Sequence, residues 1–398
     1  MTQVLEKDAD DQAVKQQEDA NPTEEQQQPD QALQAAPGEE VDYSVSNGLV
    51  ALLAKSDISI SLTSYQSGLL YFVGRNKENG INIHQTAMPK PMGLCVSEQG
   101  ELTMTAGYQI MRFENILQSG QAVNNTFDAC FVPRTVHVTG HLDAHDVGLD
   151  GQGRPVFVNT RFNCLAVPSA RHSFEVVWQP SFISALVDED RCHLNGMAME
   201  NGKPRYVTAV SRSNTIDGWR DRRADGGIVI DVESNEIVCQ GMSMPHSPRM
   251  HNGQLWVLNS GTGELGTVEF NKSGKGKFKP KVFCPGFLRG LAFHGNHAFV
   301  GLSKPRYKRF EGLALEQRLK DADSEAWCGV QIIDLTTGAC VDWFRIDGEI
   351  GELFDVEIIA GAVCPMAVPP MSDEAASLIT YDGMPIPVAD DSGRAAAE

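Results

Sequence analysis

The stretch Pro91-Met-Gly-Leu-Cys-Val-Ser-Glu-Gln-Gly-Glu-Leu-Thr-Met-Thr-Ala106 contains the pattern from which the architecture follows. Apolar residues alternate with small or polar residues on both sides of a turn at Gly100. Alternation with a period of two is typical of β-strands, and two such runs around a short glycine-containing turn indicate a β-hairpin. The stretch is therefore interpreted as two short antiparallel strands.

The same pattern recurs five times further along the chain. It begins at His145 (HDVGLDGQGRPVFVNT), Asn195 (NGMAMENGKPRYVTAV), His246 (HSPRMHNGQLWVLNSG), Arg289 (RGLAFHGNHAFVGLS) and, more weakly, Asp355 (DVEIIAGAVCPMAV). Counted from Met92, the intervals are 53, 50, 51, 43 and 66 residues. One four-stranded propeller blade takes about 40–50 residues. The sequence thus predicts an all-β fold, a six-bladed β-propeller.

The long last interval and the chain ends need separate explanations. Residues 304–327 are interpreted as an insertion, in which Leu313–Lys320 is predicted to form a short helix. Too little chain follows Asp355 for a whole blade, so the N-terminal alternations at Ile58–Thr63, Leu69–Val73 and Ile81–His84 are predicted to complete it. Such closure removes exposed sheet edges. Seven blades are the alternative, if residues 58–84 form a blade of their own.

Charge is concentrated at the two ends of the chain. The whole sequence of 398 residues carries −19, of which residues 1–42 carry −10 (twelve acids, two bases) and residues 371–398 carry −5 (six acids, one base). Segments with many charges and few aromatic residues cannot bury enough apolar surface to fold. We therefore expect a disordered acidic tail at 1–42, a propeller at 43–370 and a flexible C-terminal tail at 371–398. The acidic balance argues against nucleic acid as a partner.

Cysteine usage and hydropathy indicate the compartment. Nine cysteines are scattered singly with no CxxC pair, which is typical of reduced thiols in a cytoplasmic protein. The start of the chain has no apolar run after basic residues, and Leu49–Ala54 is too short to cross a bilayer. The sequence therefore predicts no signal peptide and no membrane association, and it leaves the oligomeric state open.

Two resemblances rest on these motifs. The blade motif Pro-x-Gly-Leu-x-Val…Gly-x-Leu resembles that of NHL-repeat propellers and gluconolactonase-like proteins. Over residues 57–370, strings such as Ser243-Met-Pro-His-Ser-Pro-Arg249 and Phe287-Leu-Arg-Gly-Leu-Ala-Phe293 are similar to an uncharacterised bacterial conserved-hypothetical family, a domain of unknown function. The first resemblance implies a propeller, and the second implies no particular activity.

The repeat alignment brings six distant residues to one level of the fold. In propellers the first strand of each blade lines the central channel, so the residues that open these strands should meet at its mouth. Each is followed by a small or apolar residue, with Asp146 as the exception. The aligned positions are Met92, His145, Asn195, His246, Arg289 and Asp355. A ring of polar side chains around one axis is a candidate functional site, although polar groups that only bond one another are the structural alternative.

Two chemical roles are open for this ring. His145, Asn195, His246 and Asp355 offer nitrogen and oxygen ligands for one divalent metal ion. The resemblance to gluconolactonase-like enzymes implies an Asn-Gly ligand and an Asp ligand, which match Asn195-Gly196 and Asp355. The two histidines and Arg289 depart from that pattern and leave the metal's identity open. Alternatively, His145 or His246 acts as a general base, with Arg289 holding substrate charge.

Further polar residues are predicted to surround the mouth. The second strand of each blade returns to the same face, and the loops that follow are rich in arginine. Guanidinium groups favour carboxylate or phosphate ligands, although they also tie loops to nearby aspartates such as Asp217. The predicted substrate-binding residues are Asn159, Arg161, Arg212, Trp219, Arg220, Arg249, Asn259 and Lys304. His193, two residues before Asn195, is interpreted as a neighbour of the ring.

Two classes of function follow from these observations. The first is an enzyme that carries out metal-assisted hydrolysis or lyase chemistry on a small anionic substrate. The second is a non-catalytic propeller that binds a ligand, a peptide or another protein at the channel mouth. The sequence has no GxSxG motif and no evident Cys–His pair, so nucleophilic catalysis has no support.

Overall fold

The computed structural model describes residues 41–305 and 310–381. Alternating apolar residues form the strands, and glycine, asparagine and aspartate form the turns between them. The helices of the described part are α1 (Leu49–Ser56), α2 (Ala314–Asp321) and α3 (Asp373–Ser377), with 3₁₀ turns at Arg220–Arg222 and Ser260–Thr262. Its strands are β1 (Asp42–Val45), β2 (Ile58–Ser64), β3 (Leu69–Arg75), β4 (Ile81–Ala87), β5 (Pro91–Val96), β6 (Leu102–Ala106), β7 (Gln109–Asn115), β8 (Ala129–Val138), β9 (Ala144–Leu149), β10 (Pro155–Asn159), β11 (Cys164–Val167), β12 (Glu175–Trp178), β13 (Leu194–Glu200), β14 (Lys203–Ala209), β15 (Gly227–Asp231), β16 (Glu236–Met242), β17 (Pro245–His251), β18 (Gln254–Asn259), β19 (Glu264–Phe270), β20 (Gly276–Phe283), β21 (Phe287–His294), β22 (His297–Ser303), β23 (Cys328–Asp334), β24 (Cys340–Asp347), β25 (Asp355–Ala360) and β26 (Pro365–Ala367).

These strands form six sheets, the blades of a six-bladed β-propeller. Blade 1 has the order β25-β2-β3-β4, so a C-terminal strand lies innermost beside three N-terminal strands. Blades 2 to 5 are β5-β6-β7-β8, β9-β10-β11-β12, β13-β14-β15-β16 and β17-β18-β19-β20, and blade 6 is β21-β22-β23-β24. Strand β26 pairs parallel with the outer strand β8, and β1 pairs with β24. The predicted six blades and their closure through residues 58–84 are confirmed.

Other predictions can be compared with individual elements. The helix predicted at Leu313–Lys320 is α2, one residue further along, and its buried face is formed by Leu315 and Leu319. Strand β1 begins at Asp42, the last residue of the predicted acidic tail, and α3 lies within the predicted C-terminal tail. The remainder of both tails, residues 1–40 and 382–398, lies outside the described residues.

The structure describes all nine cysteines. All nine cysteines are free thiols, and all except Cys95 and Cys340 are buried. No helix in residues 41–305 or 310–381 is long and apolar enough to cross a membrane.

A repeated backbone feature determines where the inner strands present their side chains. The chain enters four inner strands through a non-glycine residue with positive φ: Lys90 (47°), Asp143 (50°), His193 (50°) and Met244 (49°). The register of the inner strand is then interrupted in blades 2 to 6, for example between Pro91 and Leu94 and between Leu194 and Gly196. Such bulges re-aim side chains. Blade 1 has none at this point, because β25 pairs with β2 without a shift.

The residues one level below the channel mouth alternate around the ring between glycine and a polar side chain. In blade order from 2 to 6 and back to 1, this second layer consists of Gly93, Asp146, Gly196, Ser247, Gly290 and Asp355. Each polar member accepts a hydrogen bond from a backbone N–H of the next blade: Met197 to Asp146 (2.9 Å), Gly290 to Ser247 (3.0 Å) and Leu94 to Asp355 (2.9 Å). The second layer therefore joins the blades in pairs.

Candidate functional site

Hydrogen bonds between neighbouring blades identify the residues that form the channel mouth. In blades 2, 3, 5 and 6, a hydroxyl at or just after the end of the second strand donates to the carbonyl that precedes the mouth residue of the next blade. Thr105 donates to Ala144 (2.7 Å), Thr160 to Leu194 (2.7 Å), Ser260 to Leu288 (2.7 Å) and Ser303 to Leu353 (3.3 Å). In blade 1, Thr63 donates to the carbonyl of Met92 itself (2.6 Å). We call the residues at these positions, together with His246 at the matching position of blade 5, the mouth ring. They are Phe354, Met92, His145, Asn195, His246 and Arg289, in the order of blades 1 to 6, and all are buried.

The mouth ring differs from the sequence alignment at one position. The alignment assigned Asp355 to the ring, but Phe354 occupies this position and Asp355 lies in the second layer. The bonding of Asp355 matches that of Asp146: each accepts from the N–H of its following residue and from a backbone N–H in the next blade. The alignment erred because β25 lacks the bulge that the other inner strands have. The alignment followed the alternation of apolar residues, and this alternation is the same with or without a bulge.

The two ring histidines are held in one tautomer. His145 Nδ1 lies 2.8 Å from the carbonyl of Asp143 and 2.9 Å from Thr160 Oγ1. His246 Nδ1 lies 2.8 Å from the carbonyl of Met244 and 3.0 Å from Ser260 Oγ. Because both hydroxyls donate their single hydrogen to carbonyls, they must accept at the ring. Each Nδ1 therefore carries the hydrogen, and each Nε2 carries the lone pair.

Both imidazoles are neutral near pH 7. Burial lowers the pKa of His145 to about 4, and the positive charge of Arg289 contributes to this effect. Burial, and then the Arg289 charge, holds the pKa of His246 well below its ordinary value. The Nε2 atom of His246 is buried and has no hydrogen-bond partner among the described residues. It is thus a buried basic lone pair.

Asn195 presents a second acceptor, on the blade between the two histidines. Its amide nitrogen donates to the carbonyl of Pro245 at 3.0 Å, which fixes the orientation of the amide. Its Oδ1 atom is buried and has no partner within residues 41–305 and 310–381. Buried polar atoms are normally satisfied, so these two acceptors are the candidate contact atoms of the ring.

The cation of the ring is surrounded by aromatic side chains. The Arg289 guanidinium carbon lies 5.0 Å from the ring centre of Phe354, 5.5 Å from that of Phe287 and 5.9 Å from that of Tyr65. Phe354 also contacts His145, with the ring centres 5.4 Å apart. These cation–π contacts help to position the Arg289 guanidinium.

His193 joins the site although it precedes the ring position. Its Nδ1 lies 2.6 Å from Asp190 Oδ2, and its ring centre is 4.9 Å from that of His145. Trp219 stacks on its other side at 4.2 Å. The sequence signal for His193 was its position two residues before Asn195. Nothing in the sequence indicated Asp190 as its partner, because a loop brings the two side chains together.

Below the ring, Arg249 connects three blades. Its guanidinium binds both oxygens of Asp146 at 2.8 and 3.2 Å and lies 3.6 Å from Asp355. Burial raises the pKa of Asp355 to about 7 and that of Glu357 to about 8, while Arg249 acts in the opposite direction. Arg249 was predicted to contact substrate at the mouth, but the structure places it in this deeper layer because the bulge in β17 directs it inward.

The raised carboxyl pKa values predict a pH effect on stability. A carboxyl whose pKa is higher in the folded than in the unfolded state contributes fully to stability at a pH below its unfolded-state pKa. This contribution is lost as the pH rises through its folded-state pKa. For Glu357 the loss extends from about pH 4.5 to about pH 8. The ring histidines have the opposite sign, since their contribution is lost as the pH falls below about 6.5.

We therefore expect Glu357→Gln to flatten the stability profile between pH 7 and pH 8. The free energy of unfolding of the wild type should fall in this interval by at most about 1.4 kcal/mol per pH unit relative to that of the variant. Urea unfolding at pH 7.0, 7.5 and 8.0 measures the difference. Parallel profiles for the two proteins would contradict a protonated Glu357 in the folded state.

The four predicted metal ligands do not form one site. Asp355 is held by the N–H groups of Leu94 and Val356 and lies beside Arg249, one layer below the ring. Within the described part of the chain, no three His, Cys, Asp or Glu side chains are grouped so that they could hold a metal ion. His145, Asn195 and His246 remain neighbours in the ring, without a carboxylate.

Most of the other predicted substrate-binding residues are engaged with nearby protein groups. Asn159 accepts from the N–H of Phe162 (3.1 Å), and Asn259 accepts from that of Ser243 (2.7 Å), so both side chains hold loops. Arg161 forms two 2.6 Å bonds to Asp188. The hydrogen bonds of these three side chains go to loop groups and not to ring residues.

Four predicted residues complete the comparison. Trp219 reaches the site through its stacking on His193, and Arg220 lies over Trp219 at 4.6 Å while binding Asp217 at 3.0 Å. Lys304 Nζ lies 3.4 Å from the carbonyl of Gly348. Arg212 is exposed and lines a separate concavity of about 340 Å³. Sequence reasoning missed Phe354, Phe287 and Tyr65, which are apolar or aromatic and carried no signal for a site.

Residues 47–368 match the family model described as Domain of unknown function (DUF4915). The chain belongs to this family. The matched range contains all six ring residues and the whole second layer. A search of curated proteins returns no match.

Solved structures with this architecture resemble this DUF4915 protein only distantly. Virginiamycin B lyase from Staphylococcus aureus is 12% identical, with 78% of this chain and 100% of that chain covered and a TM-score of 0.39. A chain of the nidogen/laminin complex is 12% identical (76% and 98% covered, TM-score 0.47). A protein provisionally assigned as a gluconolactonase is 11% identical (67% and 91% covered, TM-score 0.40). These similarities concern the propeller fold.

Proposed function

We propose that the mouth ring binds a small anionic molecule and that His246 exchanges a proton with it, as in lyase- or hydrolase-type reactions. The observation that carries the proposal is the buried Nε2 lone pair of His246, which has no partner among the described residues. A neutral imidazole in this position accepts a hydrogen bond and serves as a general base.

Arg289 supports an anionic ligand. Its charge influences the pKa of both His145 and His246, so it lies close to the two bases. A guanidinium binds a carboxylate or phosphate through two parallel hydrogen bonds. In buried surroundings such an attraction is stronger than in water.

Anion binding and basicity are coupled in this arrangement. The charge of Arg289 is one reason for the low pKa of His246. An anion on Arg289 offsets this charge, so we expect the pKa of His246 to rise when the ligand binds, toward the range in which a base is effective. His193 is a second candidate for proton transfer, because Asp190 holds its Nδ1 at 2.6 Å and so orients its imidazole beside His145.

Calorimetric titration with benzoate and with inorganic phosphate tests the anion site. Replacing Arg289 by glutamine should weaken binding of at least one probe by about 10- to 100-fold. Arg161→Gln is the matched control, because Arg161 is already paired with Asp188 away from the ring. Equal weakening in both variants, or none in Arg289→Gln, contradicts the proposed site.

Nitrogen-15 NMR of the imidazoles tests the role of His246. At pH 6.5 its signals should be those of a neutral Nδ1–H tautomer, and a saturating anion should raise its pKa by one unit or more. An unchanged pKa in the complex contradicts the coupling. NMR of a mixture of small carboxylates should show turnover with the wild type but not with His246→Gln. Anion binding without turnover favours the second class, a non-catalytic ligand-binding propeller.

A further inference from the structure

The mouth ring is divided into three chemically different arcs. Blades 3, 4 and 5 each supply an acceptor: Nε2 of His145, Oδ1 of Asn195 and Nε2 of His246. The ring N–H of each histidine is used, because the carbonyls of Asp143 and Met244 accept it, and one amide hydrogen of Asn195 is used by the carbonyl of Pro245. We call these three atoms the acceptor arc. A ligand that satisfies them must present hydrogen-bond donors.

The other arcs differ from this one. Blade 6 contributes the cation Arg289, and blades 1 and 2 contribute the apolar side chains of Phe354 and Met92. Phe287 extends the aromatic surface beside Arg289 and lies 5.3 Å from His246. A complementary molecule thus has a donor group, an anionic group and an apolar group that diverge from a common centre.

The layer below the ring does not oppose a positively charged donor group. Asp146 and Asp355 lie beside a guanidinium, that of Arg249, and Glu357 is protonated near pH 7 because burial raises its pKa to about 8. The two ring histidines are neutral and do not repel a cation. An ammonium group, with three hydrogens, is the donor that matches three acceptors.

We infer that the ligand of the mouth ring is an α-amino acid with an apolar side chain. Its ammonium group faces the acceptor arc, its carboxylate binds Arg289, and its side chain packs on Phe354 and Met92. This inference rests on the proposed anion site and names the class of molecule that the site takes. A metal ion on the acceptor arc is the competing occupant.

Three probes with the same skeleton test the inference. L-Phenylalanine, L-phenyllactate and 3-phenylpropionate share a carboxylate and a phenyl group and differ only in the ammonium, hydroxyl or hydrogen at the α-carbon. We expect phenylalanine to bind at least tenfold more tightly than 3-phenylpropionate, with phenyllactate between them. D-Phenylalanine should bind at least tenfold more weakly than the L-form, because the three arcs define one hand.

Two variants assign the contacts. Asn195→Leu replaces an acceptor by an apolar side chain of similar size, and should reduce the tighter binding of phenylalanine relative to 3-phenylpropionate. Arg289→Gln should instead weaken the binding of all three probes. Asn296→Leu is the control, since Asn296 lies in the turn between β21 and β22, at the opposite end of this hairpin from Arg289, and bonds Asp334. The enantiomer comparison uses only the wild type and so remains decisive if Asn195→Leu fails to fold.

Each contrary result has a distinct meaning. If 3-phenylpropionate or phenyllactate binds as tightly as phenylalanine and Arg289→Gln weakens it, the amino-acid inference fails while the anion site stands. If neither these probes nor benzoate nor phosphate binds in an Arg289-dependent manner, both proposals fail. Stoichiometric binding of Zn²⁺ that is lost in both His145→Ala and His246→Ala would overturn the inference in favour of a metal on the acceptor arc.

Discussion

Replacing Arg249 by methionine is expected to lower the free energy of unfolding by about 3–5 kcal/mol. The substitution leaves Asp146 and Asp355 buried without their shared cation. It also removes a donor to the carbonyl of Met197 in a third blade. Urea unfolding at pH 7 measures the loss.

Arg161→Met is the matched control for this prediction. Arg161 binds Asp188 with the same two-bond geometry, but both side chains are nearly half exposed, at 42% and 45%. Exposed pairs contribute at most about 1 kcal/mol. Adding Asp146→Asn to Arg249→Met should recover part of the loss, because it removes one of the uncompensated charges. Equal losses in the two methionine variants would show that burial does not increase the contribution of the Arg249 network to the free energy of unfolding.

Replacing Gly290 by alanine is expected to lower the free energy of unfolding by about 3 kcal/mol. Gly290 has a φ of +80°, where a side chain is strained. A Cβ atom there would lie 2.5 Å from the backbone nitrogen of Val356 in the neighbouring blade. The clash involves backbone on both sides, so neither strand can move aside without disturbing the ring at Arg289.

Gly295→Ala separates the two causes. Gly295 also has a positive φ, +55°, but a Cβ atom there would meet no other atom within 4 Å. Gly295→Ala should therefore lower the free energy of unfolding only by the cost of a side chain at positive φ, about 1 kcal/mol. A loss for Gly290→Ala no greater than that for Gly295→Ala would mean that the blades separate easily at this point. Thermal and urea unfolding of both variants provide the comparison.

The predictions from sequence that succeeded rest on patterns within single strands. The intervals between hairpins predicted six blades because alternation with a period of two is a local property of each strand, and the chain-end closure followed because residues 355–368 could not form a blade alone. Ring positions His145, Asn195, His246 and Arg289 were found in the same way, since each opens an inner strand.

Local patterns did not predict which of two neighbouring residues lies in the ring and which lies in the layer below. The missing bulge in β25 places Phe354 in the ring and Asp355 below it, and the bulge in β17 sends Arg249 into the second layer. Neither shift changes the composition of a strand. Asn159 and Asn259 looked like site residues because they end second strands, yet Asn159 binds the loop that follows it, at Phe162, and Asn259 binds the loop before β17, at Ser243.

The sequence by itself determined the number of blades, the pairing of the chain ends in one blade and five of the six residues at the channel mouth. Only the tertiary structure decided which atoms of those residues remain as acceptors, which charges pair below them and which aromatic rings surround Arg289. The reason is physical: strand formation depends on the alternation of nearby residues, whereas a hydrogen bond such as that of Asn195 to Pro245 depends on where a neighbouring blade places its carbonyl.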